Sequence, residues 1–373
     1  MLVITIIAGR ESFLHDICFF LPRFAWWPRR ASRTKVRNPR RGIIPECHPQ
    51  IFYSHKSGYD KTASTDWQKR LVQTMKLNTL IEKASQCQGR TVAVAAAEDE
   101  EVIEAVAMAL EHRLDRFVLY GDRERIGRLL KEKGGARFAD VDIVHTNSVA
   151  QAAELAVRAV HLNEADALMK GNVPTATLLK AVLNKEYGLR TGKVLSHVAV
   201  FDVPAFERLI IVTDAAMNIA PDLEQKVQIV NNAVSVARSI GIERPKVAAL
   251  AAVETVNPAM PATVDAAALA MMQKRGQIEH CLLDGPLALD NAVSKTAAKH
   301  KRIESEVAGQ ADILLVPDIE SGNMLYKSLV YFAKAKVGAV IAGAKAPIVL
   351  TSRADSAESK LYSLALAICS AVK

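Results

Sequence analysis

The sequence predicts an α/β protein of two domains, with mainly parallel sheets flanked by helices. Three observations lead there. From Met75 onward, short apolar runs alternate with helical patterns. The runs are rich in Val, Leu, Ile and Ala without polar alternation, as strands covered on both faces are. They number eleven, more than one typical sheet holds, and 373 residues suffice for two domains.

Strands are expected at Thr91–Ala97, Arg116–Tyr120, Val141–His145, Ala165–Met169, His197–Phe201 and Leu209–Thr213. They continue at Val247–Val253, Glu279–Leu283, Asp312–Val316, Ala339–Ala342 and Pro347–Leu350. Helical periodicity fills Glu100–His112, Glu124–Lys133, Val149–Leu162, Thr175–Tyr187, Leu223–Ile240, Thr263–Arg275, Asn323–Lys336 and Ala357–Val372. Such βα units favour parallel pairing through right-handed crossovers.

Residues 1–74 do not belong to that pattern. The chain carries 48 Lys+Arg and 40 Asp+Glu, a net charge of +8. Residues 1–74 hold 13 and 5 of these, so the remaining 299 residues hold 35 of each. All three tryptophans, Trp26, Trp27 and Trp67, also lie there. Pro22, Pro39, Pro45 and Pro49 interrupt any period. We read residues 1–74 as a basic N-terminal extension, disordered or arising from a misassigned start codon. A basic nucleic-acid arm through Arg29–Arg41, or a targeting segment, ranks behind it. The balanced remainder offers nucleic acid no basic field by count.

No run of 18 apolar residues exists, so no helix is expected to span a membrane. The five cysteines, Cys18, Cys47, Cys87, Cys281 and Cys369, show no paired spacing. That argues against a disulfide framework and a CxxC metal site, and for a reducing cytoplasm.

In open α/β sheets, ligands bind beyond the carboxyl ends of strands, so the loops there carry the search. Leu168–Thr175 (LMKGNVPT) joins a strand to a helix. Lys170, Gly171 and Thr175 would make an anion site with the free N–H groups of the helix start; the bland reading is a βα turn with a solvated lysine. In Val212–Asp222 (VTDAAMNIAPD), Asp222 reads as a helix cap. Asp214 has no evident local duty, which tilts it and Asn218 towards a site. Asp284-Gly285-Pro286 is first a tight turn, and Asp290 could cap a helix. In Val316–Lys327 (VPDIESGNMLYK), Ser321 and Asn323 are good capping residues, while Asp318, Gly322, Tyr326 and Lys327 cluster beside them. After the last strand, Ser352-Arg353 places a hydroxyl and a guanidinium that fits phosphate; Ser356 would cap the last helix. Cys281 and His197 lie in apolar strands and read as core and as a hydrogen-bonded structural histidine.

Taken in order, LMKGNVPT, LSHVAVF (195–201), VTDAAMNIAPD, LDGPLALD (283–290), VPDIESGNMLYK and LTSRADS (350–356) resemble the phosphate acetyl/butyryl transferase family, its butyryl branch in particular. The resemblance covers the 299 residues from Met75. It implies reversible transfer of a butyryl or similar short or branched acyl group between CoA and inorganic phosphate. CoA and phosphate are substrates; no cofactor or metal is implied. It implies an active cleft between domains 75–193 plus 346–373 and 194–345, and a homodimer or higher homo-oligomer. Ser352 and Arg353 would hold the phosphate and stabilise the tetrahedral oxyanion. Arg190 would be a second cation, and Ser321, Gly322, Asn323, Tyr326 and Lys327 would line the cleft. Acetyl-type members carry an acidic base for the thiol where this chain has Ser359. The base therefore stays open among Asp318, Asp355 and Glu358. An acetyl transferase, or a non-catalytic acyl-CoA-binding regulatory domain of the same fold, are the competing readings.

Overall fold

The computed structural model describes residues 76–371, except Gln88, Asp115, 139–140, Ala205 and 353–354. The expectations for residues 1–74 lie outside the described residues, and so does Arg353.

Helix α1 (Leu77–Ala84) leads into β1 (Thr91–Ala95), α2 (Glu100–Glu111), β2 (Arg116–Gly121), α3 (Arg123–Glu132), β3 (Val141–His145), α4 (Val149–His161), β4 (Ala167–Lys170) and α5 (Thr175–Val182). Then come β5 (Ser196–Asp202), β6 (Ile210–Thr213), α6 (Leu223–Ser239), β7 (Lys246–Leu250), α7 (Pro261–Lys274), β8 (Leu282–Leu287), α8 (Leu289–Val293) and α9 (Lys295–His300). The chain closes with β9 (Ile313–Leu315), α10 (Ile319–Tyr331), β10 (Lys336–Ala342), β11 (Ile348–Val349) and α11 (Ala357–Ser370).

Every expected strand and long helix forms, and the differences have local causes. Strand β8 starts later because His280 takes a left-handed φ of 62°, which breaks the extended run. Helix α5 stops at Val182, five residues early. Asn184 Oδ1 accepts from the backbone N–H groups of Glu186 and Tyr187, a turn that competes with the helix. Asp290 does not cap α8; it lies inside its first turn, behind Ala288. Asp222 and Ser356 cap α6 and α11 as expected, accepting from Gln225 N and Ser359 N.

The strands share one ladder in the order β3-β2-β1-β4-β11-β10-β5-β6-β9-β7-β8. The strand count that suggested more than one sheet is met by a single one. Two parallel groups, β3-β2-β1-β4-β11 and β6-β9-β7-β8, run in opposite senses. Strands β10 and β5 join them, each antiparallel to both its neighbours. The β10–β5 pairing runs seven residues, from Lys336 opposite Asp202 to Ala342 opposite Ser196.

The two faces differ. Side chains alternate along a strand, so Val92, Val94, Val198 and Val200 point one way. They belong to a single core that gathers α1, α2, α3, α6, α7 and α11. Helix α11 is apolar on nearly every side, with Leu364, Ala365, Leu366 and Ala367 fully buried there. The opposite face carries two separate cores. One is built on α4, α5 and β1, β4, β10 and β11; the other on α8, α9, β5, β6 and β7, with α10 packed against it. The interruption between them frames the candidate site.

Candidate active site

The pairing registers align Ala93, Leu168, Ile348, Ile341 and His197 across β1, β4, β11, β10 and β5. These residues therefore face the same side of the sheet. Ile341 ends the first of the two separate cores, and Ala199 and Phe201 begin the second. His197 stands on β5 at that boundary, 8% exposed. Its backbone is held from both sides. Thr213 Oγ1 donates to its carbonyl at 2.9 Å, and its N–H donates to Asp214 Oδ1 at 3.1 Å. The ring lies against Tyr326, centroids 5.8 Å apart, and Tyr326 meets the edge of Phe201 at 5.2 Å. Ring Nδ1 is buried without a hydrogen-bond partner among the described residues. The reading of His197 as a hydrogen-bonded structural histidine is corrected on that point.

Asp214 does have a local duty, contrary to expectation. Its carboxylate also accepts from the N–H groups of Ala216, Met217 and Asn218 and from Asn218 Nδ2. Asn218 Nδ2 donates in turn to Leu195 O at 2.8 Å. The loop after β6 is thus wound around one carboxylate. Helix α10 packs directly on it: Ile319 N donates to Ile219 O, and Asn323 Nδ2 reaches Ala215 O at 3.5 Å. Gly322 makes this approach possible, since a Cβ there would lie 2.7 Å from Asp214 O. Asp318 is the N-cap of α10. Its Oδ1 accepts from Ser321 N at 2.8 Å and from Ser321 Oγ at 2.7 Å. Ser321 sits inside the first turn and does not cap the helix, and Asn323 follows it. Lys327, further along, is exposed.

A second group lies at the carboxyl ends of β4 and β11. Lys170, on the same face as Leu168 by alternation, is 5% exposed and donates to Gly171 O at 3.2 Å. Gly171 is tucked under the turn after β1, where a Cβ would stand 2.1 Å from Ala96 O. Thr175 is exposed at the start of α5. The loop before α11 closes on itself: Ser352 N donates to Asp355 Oδ2 at 2.7 Å, and the buried Lys360 Nζ donates to Asp355 O. Arg190 is exposed in the segment leading to β5. Asp284 and Asp290 belong to the edge strand β8 and its exit, separated from β6 by β9 and β7.

Electrostatics link the two groups. Burial pulls the His197 imidazole below its ordinary 6.5, while the charges of Asp214 and Asp355 pull it back. Burial, with Asp355 and Tyr331 adding, pushes the Tyr326 phenol well up, so it stays a neutral donor. Asp355 thus acts on both rings across the boundary. Glu358 is committed elsewhere: it pairs with Lys336 at 2.7 Å and accepts from Tyr362 at 2.9 Å. The Lys336 hydrogen bond holds its carboxyl low. Cys281 is buried and its thiol is pushed up to about 11, in keeping with a core residue.

Two absences hold for the described residues. No group of three or more His, Cys, Asp or Glu is arranged to hold a metal ion. No helix is long and apolar enough to cross a membrane. A cavity of about 630 Å³ opens on the opposite, continuous face, between α6 and the β10–β11 turn. Two of its amides are engaged, Gln228 with Val194 N and Asn232 with Val194 O and Ser196 Oγ, and none of the candidate site residues above lines it.

An open α/β sheet whose strand ends carry a buried lysine, a hydroxyl-bearing loop and a capped helix start, with a buried imidazole where two cores separate, fits an enzyme handling an anionic substrate. A family model described as phosphate acetyl/butaryl transferase matches residues 125–368. A probable phosphate butyryltransferase of Bacillus subtilis (strain 168) is 65% identical over 295 residues, 79% of this chain and 98% of that protein. A phosphate butyryltransferase of Clostridium acetobutylicum is 51% identical over 290 residues, 78% of this chain and 96% of that protein. The crystal structure of a branched-chain phosphotransacylase from Enterococcus faecalis V583 matches with a TM-score of 0.67 at 38% identity, covering 76% of this chain and 99% of that one. The chain belongs to the phosphate acetyl/butaryl transferase family and is an acyltransferase.

Proposed function

We propose that this enzyme moves a butyryl, or similar short or branched, acyl group reversibly between CoA and inorganic phosphate. The observation that carries this reading is the match along 98% of a relative named as a probable phosphate butyryltransferase. The geometry is in accord with it. Both directions pass through a tetrahedral oxyanion, which needs fixed donors where charge develops. Lys170, Ser352 and Arg353 would hold the phosphoryl group, with Thr175 and Arg190 as further candidates. Ser321, Asn323, Tyr326 and Lys327 would line the path of acyl-CoA. Asp214, Asn218, Gly322, Gly171 and Asp318 act by positioning, because their polar groups and close contacts are spent on the loops.

On this reading the cleft lies between halves 75–193 plus 346–373 and 194–345, over the interrupted face of the sheet. CoA and phosphate enter as substrates, without an organic cofactor. The enzyme works in the cytoplasm as a homodimer or larger homo-oligomer, with no nucleic-acid or membrane partner.

Thiol release from acetyl-, butyryl-, isobutyryl- and isovaleryl-CoA, with phosphate present, tests the reading. Highest kcat/KM with butyryl- or a branched acyl-CoA is expected, and arsenate in place of phosphate should give net hydrolysis. A preference for acetyl-CoA would assign the acetyl reaction instead. Tight acyl-CoA binding without phosphate-dependent turnover would assign a regulatory domain.

A further inference from the structure

We propose that His197 is the base that takes the proton from the CoA thiol. This role rests on the acyl-transfer reading above. The acids open from the sequence are each committed or remote in function. Asp318 caps α10 and binds Ser321. Glu358 is paired with Lys336 and Tyr362. Asp355 receives Ser352 N, and its charge faces His197 and Tyr326. His197 is different. Its backbone N–H and carbonyl are pinned by Asp214 and Thr213, its ring is stacked at an angle on Tyr326, and its buried Nδ1 has no hydrogen-bond partner among the described residues. A buried ring nitrogen in a purely structural role is normally hydrogen-bonded, since leaving it bare costs free energy. The residue also stands where the two cores of this face separate, in line with the strands that carry Lys170 and the Ser352 loop.

The proton balance is simple. With acyl phosphate and CoA as reactants, the thiol S–H bond breaks and the proton passes to the imidazole. The thiolate sulfur bonds the carbonyl carbon, the carbon–oxygen bond to phosphate breaks, and the departing phosphate takes the proton. In reverse, the proton of the attacking phosphate passes through His197 to the leaving thiolate. The titratable groups facing the ring are Asp214 from the end of β6, Asp355 from the loop before α11 and Tyr326 from α10. Asp214 is saturated by its donors, and Tyr326 stays protonated. Asp355 remains to steady the imidazolium once formed. Burial keeps the resting ring neutral, as a proton acceptor must be.

The test compares full-length wild type with H197N and H197Q, in both reaction directions and across pH. We expect kcat to fall about 10²-fold or more, with KM changed much less. The acid limb of the wild-type kcat/KM profile should vanish in both variants, whose rates in the direction that consumes CoA should instead climb with the thiolate fraction. A variant with near wild-type kcat, or a slowed one that keeps the acid limb, overturns the role. If neither variant folds, ¹⁵N-imidazole NMR of the wild type decides: His197 must titrate with the acid limb, and a ring that does not overturns the proposal. Wild-type protein that releases no thiol from any of the four acyl-CoAs overturns the reaction assignment itself. Active wild type with an unaltered H197N profile removes His197 alone.

Discussion

Asp214 accepts from five donors, and one of them is the N–H of His197. A carboxylate in a small-residue loop looked like a ligand group in the sequence because its partners are spread from position 197 to 218 and cannot be seen as neighbours. The same blindness concealed His197, since an apolar strand gives no sign that a buried ring nitrogen will be left without a hydrogen-bond partner among the described residues. Its protonation also predicts a stability effect. Burial holds the folded-state value below 6.5, so just below pH 6.5 the unfolded chain binds more protons than the native one. Stability therefore rises with pH across that window and is lost as pH falls through it. The urea midpoint of wild type should drop on acidification below pH 6.5 more steeply than that of H197N. Parallel slopes for the two proteins would contradict this.

Helix α10 shows what can be read at the scale of an element. Capping residues were legible at Asp222 and Ser356, because an isolated Ser or Asp before a periodic run has one obvious use. At α10 three such residues occur within six positions, and the sequence cannot choose among them. The structure gives the cap to Asp318, starts the helix at Ile319 and leaves Ser321 donating back to Asp318. Asp318→Ala should cost about 0.5–2 kcal/mol, the usual loss for an N-cap. It should also raise KM for acyl-CoA, because the first turn carries Ser321 and packs on the Asp214 loop through Gly322. Thermal melts and steady-state kinetics on the same variant check both. A lowered melting temperature with unchanged KM would separate the cap from substrate binding.

For the whole molecule, the deciding feature is the asymmetry of the sheet. One core runs along a full face and is closed by α11, whose residues touch helices of both parallel groups. Leu364 is completely buried in it. Leu364→Ala should cost about 2–5 kcal/mol. Because that core is continuous, amides of β2 and of β8, near opposite edges of the sheet, should lose protection from hydrogen exchange together. Loss at one edge only would show that the halves unfold separately.

The α/β class, all eleven strands, the long helices and the order of the chemical motifs are legible along the chain. These follow from local periodicity and from residues close together in the chain. The sequence also locates the charge balance of 35 and 35 from Met75 onward. That the strands share one sheet, that one face is continuous and the other divided, and that His197, Asp214, Tyr326 and Asp355 act on one another emerges in the folded molecule alone. Strand pairing and side-chain partners are set by contacts distant in sequence. The β5–β10 pairing joins strands more than a hundred residues apart, which no local pattern encodes.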